Sequence, residues 1–141
     1  MSTIPSLTAS RYSLTSTLAD VAFEDAVANV RTALAAEGFG VLTEIDVQAT
    51  LKKKLDADTR PYLILGACNP PLAHQALQAE PTIGVLLPCN VVVAADDDGG
   101  VVVSAVDPVA MFEIVGRADI EPLAKEVRAR LERVLAALGG T

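Results

Sequence analysis

The chain has 141 residues, 51% hydrophobic and 21% charged, which is one domain with enough apolar mass for a core. Aromatics make up only 4% and Trp is absent, so that core must be built from Val, Leu, Ile and Ala. A formal net charge of −7 argues against a nucleic-acid footprint, and no stretch approaches the ~18 apolar residues of a membrane helix.

The opening, Met1-Ser2-Thr3-Ile4-Pro5, has no basic region followed by an apolar run. No secretory signal is therefore expected, and the cytoplasm is the default compartment. Residues 1–10 read as a flexible start, and Arg11 to Thr17 as the first strand. Phe23, Val27, Val30 and Leu34 then form the stripe of an amphipathic helix, with Asp20 as its candidate cap and Gly38 as its left-handed end.

Gly40 to Ile45 reads as a second strand. Asp46 is placed to cap a short helix with Val47, Leu51 and Leu55 on one side and Lys52-Lys53-Lys54 on the other. The lysines suit a solvated face or an anion contact. Tyr62 to Ala67 is an apolar third strand, followed by Asn69 as a helix cap with Pro70 at the first helical position. That helix should stop before Pro81, and Gly84 to Leu87 should lead into the strand through Cys89 and Ala95. Asp96-Asp97-Asp98-Gly99-Gly100 is a hairpin signal, with Val101 to Ala105 as the returning strand. Asp107-Pro108 opens a short helix, and Pro122 to Leu138 closes the chain as a longer one. The whole of 1–141 reads as one α+β domain, with a mainly antiparallel sheet of about five strands and helices packed on it.

Several strands are apolar without alternation, Val91–Val93 and Val101–Val103 among them, and so need cover on both faces. A second copy of the protein would supply that cover; the alternative is the short helices at 46–55 and 107–115.

The two cysteines, expected as free thiols in a reducing compartment with one disulfide as the alternative, stand in Cys68-Asn69-Pro70 and Pro88-Cys89-Asn90, each at a strand end. If the two strands are neighbours, Cys68, Asn69, Cys89 and Asn90 meet in one cleft, with His74 at its border. Three readings compete. The cysteines are buried small hydrophobes and the asparagines satisfy turn backbone. Or these five residues line a site for a small molecule, or for an anion held on helix N–H groups. Or the thiols and His74 act in redox chemistry or hold a soft metal. Cys-x5-His with one distant Cys matches no standard zinc spacing, so no metal ligand set and no cofactor is assigned. Neither a phosphate-binding glycine loop nor a GxSxG context is present, which leaves catalysis open.

The strings Gly38-Phe39-Gly40-Val41-Leu42-Thr43-Glu44-Ile45-Asp46, Leu51-Lys52-Lys53-Lys54-Leu55, Tyr62 to Pro70 and Leu86 to Val93 resemble the domain of unknown function 302 family. The resemblance covers roughly residues 12–115 and rests most on the Cys-Asn-Pro and Pro-Cys-Asn motifs. It implies a small bacterial or archaeal α+β domain with a topology like that of TATA-binding-protein folds (β-α-β4-α). It also implies a homodimer, and no assigned reaction.

Overall fold

The computed structural model describes residues 4–140. Met1–Thr3 of the expected flexible start, and Thr141 at the end of the expected domain, lie outside the described residues.

The apolar runs form β1 (Ser13–Leu18), β2 (Gly40–Asp46), β3 (Tyr62–Cys68), β4 (Cys89–Ala95) and β5 (Val101–Val106). All pair antiparallel in one sheet of order β1-β5-β4-β3-β2. β1 and β2 lie at opposite edges, so the first helix, α1 (Phe23–Ala36), must cross the whole sheet. With α2 (Val47–Leu55), α3 (Pro70–Ala79), α4 (Pro108–Phe112) and α5 (Glu121–Ala137), the elements spell β-α-β4-α with short helices in the connections. The fold is the expected α+β arrangement.

Helices α1 and α5 lie on one face. Ala26, Val30 and Leu34 from α1 and Val127, Leu131 and Val134 from α5 pack on Leu63, Leu65, Val91, Val93, Val101 and Val103 of the central strands. Burial at roughly 25 cal/mol per Å² makes this contact the main source of stability. A smaller cluster of Ala76, Ile83, Phe112, Ile120 and Ala124 gathers α3, α4 and the start of α5 beside it.

Most expected boundaries hold within a residue or two, and the exceptions have local causes. Asp20 takes a left-handed φ of 54° in the turn before α1, and the cap position is instead held by Ala22, which offers no side-chain hydrogen bond. Gly38 does close α1, with φ 83°. Asp46, Asn69 and Asp107 cap α2, α3 and α4 through their side-chain oxygens. Pro81 to Leu86 forms a 3-10 turn where a lead into β4 was expected, because Pro81 starts a new turn and Ile83 is drawn into the smaller cluster. On the apolar side of α2, Val47 and Leu51 are only half-buried and Leu55 is exposed, while Lys52 pairs with Asp56 at 2.9 Å and Asp58 at 3.0 Å.

Part of the cover on the outer sheet face comes from the helix at 107–115, through Met111. The chain's own residues 4–12 also cross that face. Arg60 Nε donates to the Ile4 carbonyl at 2.8 Å, Ser6 Oγ donates to Asp96, and Asp107 N–H donates to the Tyr12 carbonyl at 2.8 Å. Outside the helical core, Ala94 and Val102 are buried beneath this cover.

Candidate functional site

The register places Cys89 opposite Ala67 and Asn90 opposite Gly66. Side chains alternate along a strand, so consecutive residues of β4 face opposite sides. Cys89, with Val91 and Val93, belongs to the helical core and is 6% exposed; Asn90 projects from the outer face and is exposed. One shared cleft for both asparagines is therefore excluded by parity.

What the fold does bring together is Cys68, Asn69 and Cys89. Cys68 ends β3 half-buried, and Asn69 begins the turn into α3. These three border an almost wholly apolar cavity of about 310 Å³ at the seam between the two core clusters. Phe39, Ala76, Leu87, Phe112, Leu123 and Val127 supply most of its remaining wall. The volume lies at the small end of the range for organic ligands.

His74 is not part of this cavity. Its helix turns Ala73 and Ala76 inward, leaving His74 exposed on the other side. The expectation that His74 borders the buried face is thus corrected by helical phase.

Asn69 is nearly buried, but both ends of its amide are engaged. Its Oδ1 accepts from Leu72 N–H at 3.4 Å, and its Nδ2 donates to the Glu37 carbonyl at 3.4 Å. Arg130 donates to the same carbonyl at 3.0 Å. Asn69 thus ties the end of α1 to the start of α3, a cap worth about 1 kcal/mol.

The anion reading fails at this helix start. Pro70 and Pro71 have no N–H, Leu72 N–H goes to Asn69 Oδ1, and Ala73 N–H goes to the Asn69 carbonyl at 2.9 Å. No donor of the first turn is left for an anion.

Both cysteines are free thiols. Burial, with a smaller contribution from nearby Cys68, pushes the Cys89 thiol up to about 11. At neutral pH it is a protonated, weakly nucleophilic group. Among the described residues, no group of three His, Cys, Asp or Glu side chains comes together to hold a metal, and no helix is long and apolar enough to cross a membrane.

Fold and cavity together define a small antiparallel α+β domain with an apolar chamber bordered by two thiols. The chain belongs to the family described as domain of unknown function DUF302, whose model matches residues 13–138. It is similar to the crystal structure of an uncharacterized conserved DUF302 protein from Bacillus stearothermophilus, at 25% identity and a TM-score of 0.84. That match covers 92% of this chain and 99% of the other. A search of curated proteins found no match.

Two features of the site lay outside sequence reasoning. Gly66 looked like an ordinary strand residue, yet the Pro88 ring and Thr43 press against its α-carbon. The outer face around Asn90 forms a cavity of its own, roofed by a segment with no periodic pattern.

Proposed function

We propose that the protein is a binding domain that takes a small, neutral, mainly apolar molecule in the chamber bordered by Cys68, Asn69 and Cys89. The supporting observation is an apolar cavity of about 310 Å³ at the family's own motif residues, where close packing would otherwise leave no void. The thiols contribute polarisable walls, and the ligand displaces poorly satisfied water from an apolar surface. The thiol-redox or soft-metal alternative is less well supported, since Cys89 is protonated at neutral pH and His74 lies outside the chamber.

The test is a two-dimensional NMR titration of the intact protein with indole, p-xylene and cyclohexanol. At least one should give saturable shifts centred on Ala73, Ala76 and Val127. Ala76→Leu, and Ala73→Leu as a second variant, should weaken that binding roughly tenfold or more by filling the space. Saturable shifts in none of the three, or the same affinity in both variants when they melt normally, would remove the chamber as a ligand site.

The same reading includes a homodimer, formed along β2. This edge strand leaves Leu42 67% and Ile45 49% exposed, and Leu42 also stands at the chamber's rim. An unpaired edge with apolar side chains is a template for a second strand. Sedimentation at micromolar concentration should give a dimer, and Ile45→Lys a monomer. A wild-type monomer under those conditions rules the dimer out.

A further inference from the structure

The outer sheet face holds a second and larger cavity, about 610 Å³, between residues 4–12 and the strands. The two cavities share only Leu87 and Pro88. Their linings differ in kind. The chamber on the helical side is apolar, whereas the outer one has hydroxyls along one wall and an apolar floor.

The hydroxyls form a connected row. Ser10 Oγ lies 2.6 Å from Ser13 Oγ, which lies 3.3 Å from Thr15 Oγ1, which lies 2.9 Å from Ser104 Oγ. In each of these pairs either oxygen can donate, so the row presents groups that switch between donor and acceptor. Ser10, Ser13 and Ser104 line the cavity directly. Asn90 adds a carboxamide from β4 with both a donor and an acceptor. Two phenols stand at the same site, Tyr62 on β3 and Tyr12 at the rim, where Tyr12 is 71% exposed. Val92, Val106, Leu86 and Met111 make the floor. Among the described residues, no Asp, Glu, Lys, Arg or His lines the cavity.

An uncharged site penalises an ionic ligand, which would lose its hydration without a partner charge. A row of hydroxyls with an amide suits a molecule whose own hydroxyls both donate and accept. Aromatic and aliphatic walls suit a rigid face of C–H groups. A cyclic sugar has all three properties, and the volume lies well within the range of small-molecule sites.

We propose that the outer cavity binds a neutral cyclic sugar, with Ser104, Ser13 and Asn90 as its polar contacts and Tyr12 and Tyr62 against its ring. The site is independent of the chamber between Cys68 and Cys89. Residues 4–12 form its roof, anchored by Arg60 on Ile4 and by Ser6 on Asp96.

The test is calorimetry of the full chain with methyl β-glucopyranoside and maltose, with glucuronate and sorbitol as comparators. One or both neutral sugars should bind saturably and glucuronate at least roughly tenfold more weakly. Ser104→Ala and Asn90→Ala should each lower the affinity roughly tenfold, the factor expected when one buried hydrogen bond is lost. Asn90 is exposed, so its variant keeps the fold and serves as the safer measurement. Ala76→Leu, which fills the other cavity, should leave sugar affinity unchanged. No saturable binding of either neutral sugar overturns the proposal. So does equal binding of glucuronate, or wild-type affinity in both variants. Equal binding of sorbitol, which has no rigid ring face, overturns the assignment to a cyclic sugar.

Discussion

Between pH 9 and about pH 11 the protein should lose stability that a Cys89→Ala variant does not lose. An unfolded thiol ionises near its ordinary value of 9.0, while burial holds the folded Cys89 protonated up to about 11. Because the folded value is the higher one, this contribution is complete below pH 9. It declines as the pH rises, since the unfolded state gives up a proton that the native state still keeps. The loss approaches about 2–3 kcal/mol once the pH passes the folded value. Urea unfolding under reducing conditions at several pH values is the measurement, with the difference between wild type and Cys89→Ala as the readout. Taking the difference cancels the titration of lysines and tyrosines common to both proteins. A difference that stays flat from pH 8 to 11 would mean that Cys89 is solvated in solution and that its chamber is open to water.

Gly66→Ala should be among the most disruptive single-methyl additions in the protein. Gly66 lies in the middle of the sheet, paired with Asn90 on one side and Thr43 on the other. A methyl group there would collide with Thr43 Oγ1 and come within 2.8 Å of the Pro88 ring. The Pro88 contact is the stiffer of the two, because the ring is fixed to the backbone that starts β4. Overpacking of this kind costs about 1–3 kcal/mol, and the upper half of that range is expected here. Adding Thr43→Ala should restore part of the loss but not all of it, since Pro88 still has to shift. Leu87 and Pro88 wall both cavities, so Gly66→Ala should also change binding at each of them. Equilibrium unfolding of the two single variants and the double variant measures the coupling. A cost under about 0.5 kcal/mol for Gly66→Ala would show that the β3–β4 junction yields more easily than its packing implies.

The elements that could be read from sequence were those with strong local chemistry. α1 and α5 announce themselves through apolar stripes, and α2, α3 and α4 through Asp46, Asn69 and Asp107 at their starts. The hairpin follows from Asp96 to Gly100. What escaped was set by distance along the chain. Nothing local says that residues 4–12 return to the outer face, because their anchors are Arg60, Asp96 and Asp107. Nor does the pattern around Asn69 disclose that its amide is spent on Leu72 and Glu37, the latter far away in sequence. The site was half legible. Cys68, Asn69 and Cys89 do converge, as strand ends suggested, but the phase of one helix removed His74 and the alternation of one strand removed Asn90. Both periods are visible in sequence; which phase faces inward depends on which neighbours arrive.

Pro88, Cys89 and Asn90 occupy consecutive positions and answer to different surroundings: the partition, the oil side and the water side. The order within this triplet is therefore not interchangeable. Writing Asn before Cys would set a carboxamide opposite Ala67 and on the same face as Val91, where its four hydrogen-bonding capacities find no match, and would set a thiol where oxidants reach it. A single inserted residue before Val91 would do the same to everything downstream, turning Val92 and Ala94 inward and Val91 and Val93 outward. The spelling of the motif is thus a grammar of facing, and its letters hold their meaning only in this frame.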